Sequence, residues 1–299
     1  MADARKARLS VAKLTERFEE ALRRSPVVDR VKDWVERNLG FGGNIRIVGE
    51  LGAFAPNSAG TYRARADLTV LSVNQTFPLL AVMLEKAGQP PLVATDIAEF
   101  CSSPGDAIHA AALKPLFDRY GSDKGSGHDY HLLYGHILGD GAAVRSLVEI
   151  GLGTNNPEVV STMGSAGHPG ASLRAFRDYL TGARIYGADV DKRILFSEDR
   201  ISTCYVDQTD PASFAELESL VGPAIDVVID DGLHAPNANL SVLNFALERL
   251  SVGGWVIIED IVVTAEPIWA VIGALMPDSY EPVLLRAEGG VIFAARRKS

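Results

Sequence analysis

From about residue 120 the chain alternates short apolar runs with longer, polar, helix-like stretches. SLVEIGLG, ARIYGADV, ISTCYVD, AIDVVID and GWVIIED are five such runs, of the kind that makes strands buried on both faces of a parallel sheet. EPVLLRA and GVIFAAR form a closing pair around Gly289-Gly290, which reads as a hairpin turn. A helical segment over 235–250 separates the last two of the five runs. The pattern predicts an α/β fold with a doubly wound, mostly parallel seven-stranded sheet and a late antiparallel strand.

The first part of the chain is patterned differently. Leu9, Leu14, Phe18 and Leu22 recur at near-helical spacing among charges. A second amphipathic stretch after Pro26 carries Val28, Val31, Trp34, Val35 and Leu39 and stops at Gly40. FGGN then leads into IRIVGEL and, past a turn at PNSAG, into TYRARADLTVLSV, which alternates as a strand would. Helical runs follow over 76–87 and 104–120. These elements predict a smaller mixed α/β N-terminal domain over 1–118, serving packing, oligomerisation or pocket capping, ahead of a larger domain over 119–299.

Composition narrows the possible partners. A net charge of −9 over 299 residues argues against an extended phosphate backbone, so no nucleic-acid partner is expected. No apolar stretch is read as approaching the roughly 20 residues of a membrane span. The charged start, MADARKARLSVAKLTERFEEALRRS, lacks the apolar core of a signal peptide. Cys101 and Cys204 lie far apart and form no motif. The expectation is a cytoplasmic protein with no membrane partner.

The chemistry gathers in two acidic clusters, Asp230-Asp231-Gly-Leu-His234 and Glu259-Asp260, each at the end of an apolar run. On neighbouring parallel strands both clusters emerge at the carboxyl edge, where open α/β sheets bind ligands. Carboxylates meeting there repel unless a cation holds them, and hard oxygen donors suit Mg²⁺ or Ca²⁺. His234 would be a base beside that cation, since imidazole ordinarily titrates near about 6.5. His128, His131 and His136 in GHDYHLLYGH suggest zinc, but no cysteine accompanies them. Histidine packing is the simpler reading there. Lys124 is either a partner for a ligand carboxylate or a surface residue.

The other strand ends have the marks of a nucleoside site. Glu149-Ile-Gly151-Leu-Gly153 closes the first run, and glycines there permit a sharp turn and close approach of a ligand. A dinucleotide fingerprint would place a third glycine at 156, where this chain has Asn156. The connection over 155–169 is also longer than a βα loop usually is. Both facts disfavour a pyrophosphate and favour an adenosyl ligand without one. Asp189, with Asp191 beyond it, is placed to accept hydrogen bonds from ribose hydroxyls, and Asp207-Gln208 to meet an adenine amino group.

These residues resemble the class I S-adenosylmethionine-dependent methyltransferases, and more narrowly the metal-dependent macrolide-sugar O-methyltransferases. The resemblance runs from about Tyr120 to Ile261. It rests on Tyr120-Gly-Ser-Asp-Lys124, Glu149-Ile-Gly-Leu-Gly153, Gly170-Ala-Ser-Leu-Arg174, Ile185-Tyr-Gly-Ala-Asp189, Asp207-Gln-Thr-Asp210, Asp230-Asp-Gly-Leu-His234 and Ile258-Glu-Asp260. Leu233 and the 155–169 loop depart from the family pattern, and the first 110 or so residues carry no match.

The resemblance implies a Rossmann-like methyltransferase fold, with S-adenosylmethionine and Mg²⁺ as cofactors. It implies Asp231, Glu259 and Asp260 as metal ligands and His234 as base. Glu149, Gly151, Gly153, Asp189, Asp207, Gln208 and Asp230 form the expected cofactor-binding set, with Asp230 on the cofactor side. The expected reaction is methyl transfer to a sugar hydroxyl of a glycosylated natural product, by a chain that works as a homo-oligomer. The alternatives are a catechol-type enzyme acting on an aromatic diol and a non-catalytic adenosyl-binding scaffold. A fourth reading, an NAD-dependent dehydrogenase, is weakened by Asn156 and the long loop.

Overall fold

The structure is a computed structural model that describes residues 43–299. The two amphipathic stretches expected over 4–24 and 26–39 lie outside the described residues. The chain divides into two compact units, 1–80 and 81–299.

In the first unit, helix α1 covers Gly43–Glu50 and helix α2 begins at Tyr62, running through Tyr62–Lys86 across the division. The segment expected as a strand, TYRARADLTVLSV, is therefore helical from Tyr62 onward, and IRIVGEL is helical up to Glu50. An isolated pair of strands with no third to join is marginal in water, and Arg, Ala and Leu are good helix formers. Thr69, a β-branched residue within α2, donates its hydroxyl to the Arg65 carbonyl one turn back at 2.7 Å. A second expectation also changes, because α2 is long and apolar enough to cross a membrane by length and composition.

The second unit is a nine-stranded sheet in the order β1-β8-β9-β7-β6-β2-β3-β5-β4. Its seven main strands are β2 (Ser146–Ile150), β3 (Arg184–Asp189), β5 (Ile201–Tyr205), β6 (Ile225–Asp230), β7 (Leu250–Ile261), β8 (Tyr280–Ala287) and β9 (Gly290–Arg297). Two-residue strands β1 (Thr95–Asp96) and β4 (Ser197–Glu198) extend the edges beyond the seven expected. β2 pairs in parallel with both β3 and β6, β3 with β5, and β6 with β7. β9 lies antiparallel between β7 and β8, which is the late reversed strand expected from the closing hairpin.

Alternation along the strands sorts the core into two faces, since successive side chains point to opposite sides. Val148, Val228, Val256 and Ile258 face one side, where they meet Phe214 and Leu217 of helix α7 (Phe214–Val221), Val242 and Phe245 of α8 (Pro236–Arg249), and Trp269 of α9 (Glu266–Leu275). Leu147, Val227, Ile229 and Ile257 face the other, against Leu113 and Phe117 of α4 (Pro104–Tyr120), Leu133 and Tyr134 of α5 (His131–Leu138), and Phe176 of α6 (Ala171–Tyr179). A short helix α3 (Ile97–Phe100) precedes α4.

Helices on both faces make the sheet doubly wound and Rossmann-like. They also explain why the units divide at 80/81, ahead of the 118/119 boundary expected from sequence. Leu113 and Phe117 are fully buried in the sheet's own core, and Phe117 packs edge-on against Phe176 at 5.2 Å. The chain order reverses between β2 and β6, which opens a crevice at their carboxyl ends.

Candidate functional site

The crevice between β2 and β6 leads into a cavity of about 420 Å³. Its lining includes Gly151, Gly153, Asp189 and Asp207 on one side and Asp231, His234 and Asp260 on the other. Residues the sequence ordered along more than a hundred positions therefore share one cavity.

On the first side the backbone fixes the acids. Gly151 has φ 99°, a conformation that favours glycine; a Cβ there would overlap the Asp231 carbonyl oxygen. Gly153, at φ 76°, lies under the Met163 sulfur. Asp189 accepts the Leu152 amide at 2.7 Å and the Asp191 amide at 2.8 Å. Burial nevertheless raises the Asp189 pKa, although these amide bonds oppose it. Asp191 accepts from the Thr154 hydroxyl at 2.6 Å and from Arg193 Nε at 2.7 Å. Those bonds, Arg193 foremost, hold its carboxyl well below the usual carboxylate range. Asp207 accepts from the Thr209 amide and hydroxyl at 2.9 and 2.7 Å.

Two residues of the expected cofactor set have other partners. Gln208 donates to Asp230 Oδ1 at 2.7 Å and accepts the Leu233 amide at 2.8 Å. Its amide thus braces the turn after β6, although Gln208 still lines the cavity. Asp230 is fully buried and also accepts from Asn239 at 2.8 Å. It sits beneath the wall, outside the lining residues, and burial pushes its pKa up to about 6 against those hydrogen bonds.

On the second side an ammonium organises the acids. Lys124 is 1% exposed, with its Nζ 2.5 Å from Asp231 Oδ2, 3.3 Å from Glu149 Oε1, and in direct contact with Glu259 Oε2. Burial opposes its charge, and the Asp231, Glu259 and Glu149 carboxylates outweigh burial, so its pKa is raised well above the ordinary lysine value. Lys124 is therefore neither a surface residue nor free for a ligand carboxylate. The second oxygen of Glu259 accepts from the Tyr134 hydroxyl, and Glu259 is fully buried. The sequence placed Glu259 with Asp231 and Asp260 as a ligand trio; both its oxygens are occupied within the protein.

Asp231, His234 and Asp260 do come together. One donor atom from each lies within 4.8 Å of the others, the one such potential metal-holding group among the described residues. His234 Nε2 stands 3.9 Å from Asp231 Oδ1 and 3.8 Å from Asp260 Oδ2. These gaps are too wide for direct hydrogen bonds and leave room for a cation among the three donor atoms. His234 Nδ1 is buried without a protein partner. Both His234 (φ 55°) and Asp260 (φ 54°) adopt left-handed backbone, which is uncommon outside glycine and recurs at functional sites.

A hard cation fits this arrangement on charge as well as geometry. Lys124 is answered by Glu149, Glu259 and one oxygen of Asp231, while Asp231 and Asp260 both line the cavity and turn carboxylate oxygens towards it. Asp231 and Asp260 supply the oxygen donors that Mg²⁺ prefers.

The three histidines noted in the sequence separate. His128 Nδ1 lies 3.6 Å from Asp260, His131 is buried at the start of α5, and His136 pairs with Asp106 at 3.1 Å. Tyr130 and Tyr134, which donate to Asp260 and Glu259, were missed by sequence reasoning. Their one signal is position, since they follow Lys124 by six and ten residues. The 155–169 loop forms the cavity's outer wall through Glu158, Val159, Val160, Ser161 and Met163. Its Met163 amide is held by the Thr154 carbonyl at 2.8 Å, which fixes this part of the long loop against the cavity.

A mostly parallel sheet with β9 and the two-residue β4 reversed, a reversal of order at β2/β6 and acids at successive strand ends define a doubly wound, Rossmann-like fold. No family model matches the chain. It is 32% identical over 157 residues to 8-demethyl-8-alpha-L-rhamnosyl tetracenomycin-C 2'-O-methyltransferase of Streptomyces olivaceus, covering 52% of the chain and 39% of that protein. It is 34% identical over 102 residues to demethylmacrocin O-methyltransferase of Streptomyces fradiae, covering 33% of the chain and 26% of that protein. The chain thus spans less than half the length of the curated relatives it matches. Among solved structures, MycE methyltransferase from the mycinamycin biosynthetic pathway, in complex with Mg and SAH, is 24% identical with a TM-score of 0.49, covering 62% of this chain and 54% of that one.

Proposed function

We propose that the chain is a metal-dependent O-methyltransferase that moves a methyl group from S-adenosylmethionine to a sugar hydroxyl of a glycosylated natural product. One observation carries the reading: the nucleoside-type acids and the Asp231–His234–Asp260 group line the same cavity. The names of the curated relatives, all O-methyltransferases of sugar-bearing compounds or of demethylmacrocin, favour a sugar over an aromatic diol. A non-catalytic scaffold would have no use for acids gathered at such electrostatic cost.

Asp189 orients the ribose, Asp207 meets the adenine edge, and the bare backbone at Gly151 and Gly153 lets the ligand lie close. Glu149 and Asp230 act from beneath, through Lys124 and the Gln208-braced turn. Asp231 and Asp260 hold the cation, and His234 Nε2 takes the proton of the acceptor hydroxyl. The donor supplies an electrophilic methyl on sulfur for in-line displacement, and the divalent cation supplies Lewis acidity at the hydroxyl. The residues' part is to hold the acceptor oxygen behind the methyl and to remove its proton as the bond forms.

The proposal extends to a cytoplasmic homo-oligomer. Helix α2 exposes Leu68, Leu71, Leu79 and Met83, an apolar surface of the kind that subunit contacts cover. Sedimentation in the presence and absence of lipid vesicles separates self-association from membrane binding. Calorimetry tests the core reading: S-adenosylmethionine or S-adenosylhomocysteine should bind, and binding of NAD in their place would overturn it.

A further inference from the structure

A buried lysine at the meeting point of three strand ends is costly unless its charge is used. Lys124 precedes the sheet in sequence, and its Nζ touches the acid of β2 (Glu149), the acid after β6 (Asp231) and the first acid of the β7 pair (Glu259). Each acid is shared differently. Glu149 is capped by the Ser172 hydroxyl, Glu259 by the Tyr134 hydroxyl, and Asp231 alone keeps Oδ1 turned towards the cavity and His234. Asp260, one residue beyond Glu259 and in left-handed backbone, points the other way along with it.

We propose that Lys124 is a positioning residue: its ammonium divides the carboxylates into an inner set, Glu149 and Glu259 with one oxygen of Asp231, and an outer pair, Asp231 Oδ1 and Asp260, that alone holds the divalent cation beside His234. Glu259 then anchors the ammonium and is not a metal ligand, which departs from the trio the family resemblance implies. Because one Nζ spans β2, β6 and β7, it also fixes the distance between the cofactor half and the cation half of the crevice. The inference rests on the proposed cation-dependent reading.

Mn²⁺ titration by electron paramagnetic resonance, with S-adenosylhomocysteine present, reads cation binding without turnover. Wild-type protein should bind one ion. Glu259→Gln should stay within about threefold of wild type, whereas Asp260→Asn should weaken binding by about thirtyfold or more. Lys124→Met, which removes the competing charge and releases Glu259 and Asp231 Oδ2, should bind Mn²⁺ about tenfold more tightly or take up a second ion. Equal losses in Glu259→Gln and Asp260→Asn would overturn the division into inner and outer sets. So would a folded Lys124→Met protein with wild-type affinity.

If Lys124→Met does not fold, the charge-matched Lys124→Met/Glu259→Gln pair is compared with Glu259→Gln alone. The release of Asp231 Oδ2 should still raise affinity, and no change would sink the proposal. Wild-type protein that binds S-adenosylhomocysteine but no Mn²⁺ would overturn the cation reading itself, a result distinct from all the others.

Discussion

The two halves of the crevice hold their acids by different means. On the β2–β3–β5 side, Asp189, Asp191 and Asp207 are fixed largely by backbone amides and by residues close in sequence, such as Arg193 and Thr209. On the β6–β7 side, Asp231, Glu259 and Asp260 are fixed by side chains far away in sequence, Lys124, Tyr130 and Tyr134. The first half is held by the turns after β2 and β3, with Leu152 and Thr154 of one bonded to Asp189 and Asp191 of the other. The second is a charge cluster whose shape depends on tertiary packing, and it is there that the proposed reaction would move a proton. The difference teaches that, on the proposed reading, binding and chemistry are built with separate tools on one edge, so they should fail separately.

Removing the cation is the largest separation expected. Chelation with EDTA should abolish methyl transfer while S-adenosylhomocysteine binding, measured by calorimetry, persists; loss of both together would break the comparison. Next comes His234→Ala, for which kcat should fall by about 10²–10⁴, the usual contribution of general-base catalysis. Cofactor affinity should hold in that variant, and near wild-type turnover would remove His234 from the mechanism. The mirror experiment is Asp189→Asn. An amide cannot accept from both the Leu152 and Asp191 N–H groups as the carboxylate does. Cofactor Kd should rise by about ten- to a hundredfold, the worth of a charge-assisted hydrogen bond, with metal binding unchanged.

The same contrast explains what the sequence made legible. Apolar runs ending in acids placed β2, β3, β5, β6 and β7 correctly because period-2 burial and strand-end turns are local properties. The closing hairpin was equally readable from its glycines. Asp189 and Asp207, picked out by their place after a strand, line the cavity. Lys124 was not assigned its role, because its partners lie up to 135 positions away and nothing nearby marks it as buried. Tyr130 and Tyr134 were missed for the same reason. Glu259 was expected as a ligand from the family resemblance; it is buried against Lys124 and Tyr134 while Asp260 lines the cavity, since adjacent residues on a strand point to opposite faces. The strand expected upstream of residue 80 became a helix because alternation without a partner strand does not decide structure.

Smaller effects probe the packing beneath the site. Tyr134→Phe removes a donor from a fully buried carboxylate, which should cost about 1–3 kcal/mol of stability. Denaturant unfolding would show it as a lower midpoint with unchanged slope, while cofactor affinity stays put. If affinity fell with stability, the two halves would be coupled more tightly than their hydrogen bonds indicate.

The finest test is the pH dependence of stability, where Glu149 and Asp191 should contribute with opposite signs. Burial pushes the Glu149 pKa up to about 7 against the pull of Lys124, whereas an unfolded glutamate titrates near about 4.3. The folded state holds that proton more tightly, so this contribution is complete below the unfolded value and is lost as pH rises through the folded one. Asp191 behaves in reverse: its pKa is depressed by Arg193 and Thr154. Its contribution is present above the unfolded value near about 3.9 and is lost as pH falls through the folded one. In chelator, unfolding free energy should therefore decline on the neutral side in wild type, and Glu149→Gln should flatten that limb alone. Thr154→Val should flatten only the acid limb. A Glu149→Gln protein that kept the full neutral slope would show that the proton belongs elsewhere in the Lys124 cluster, and the inner set would have to be redrawn around that residue.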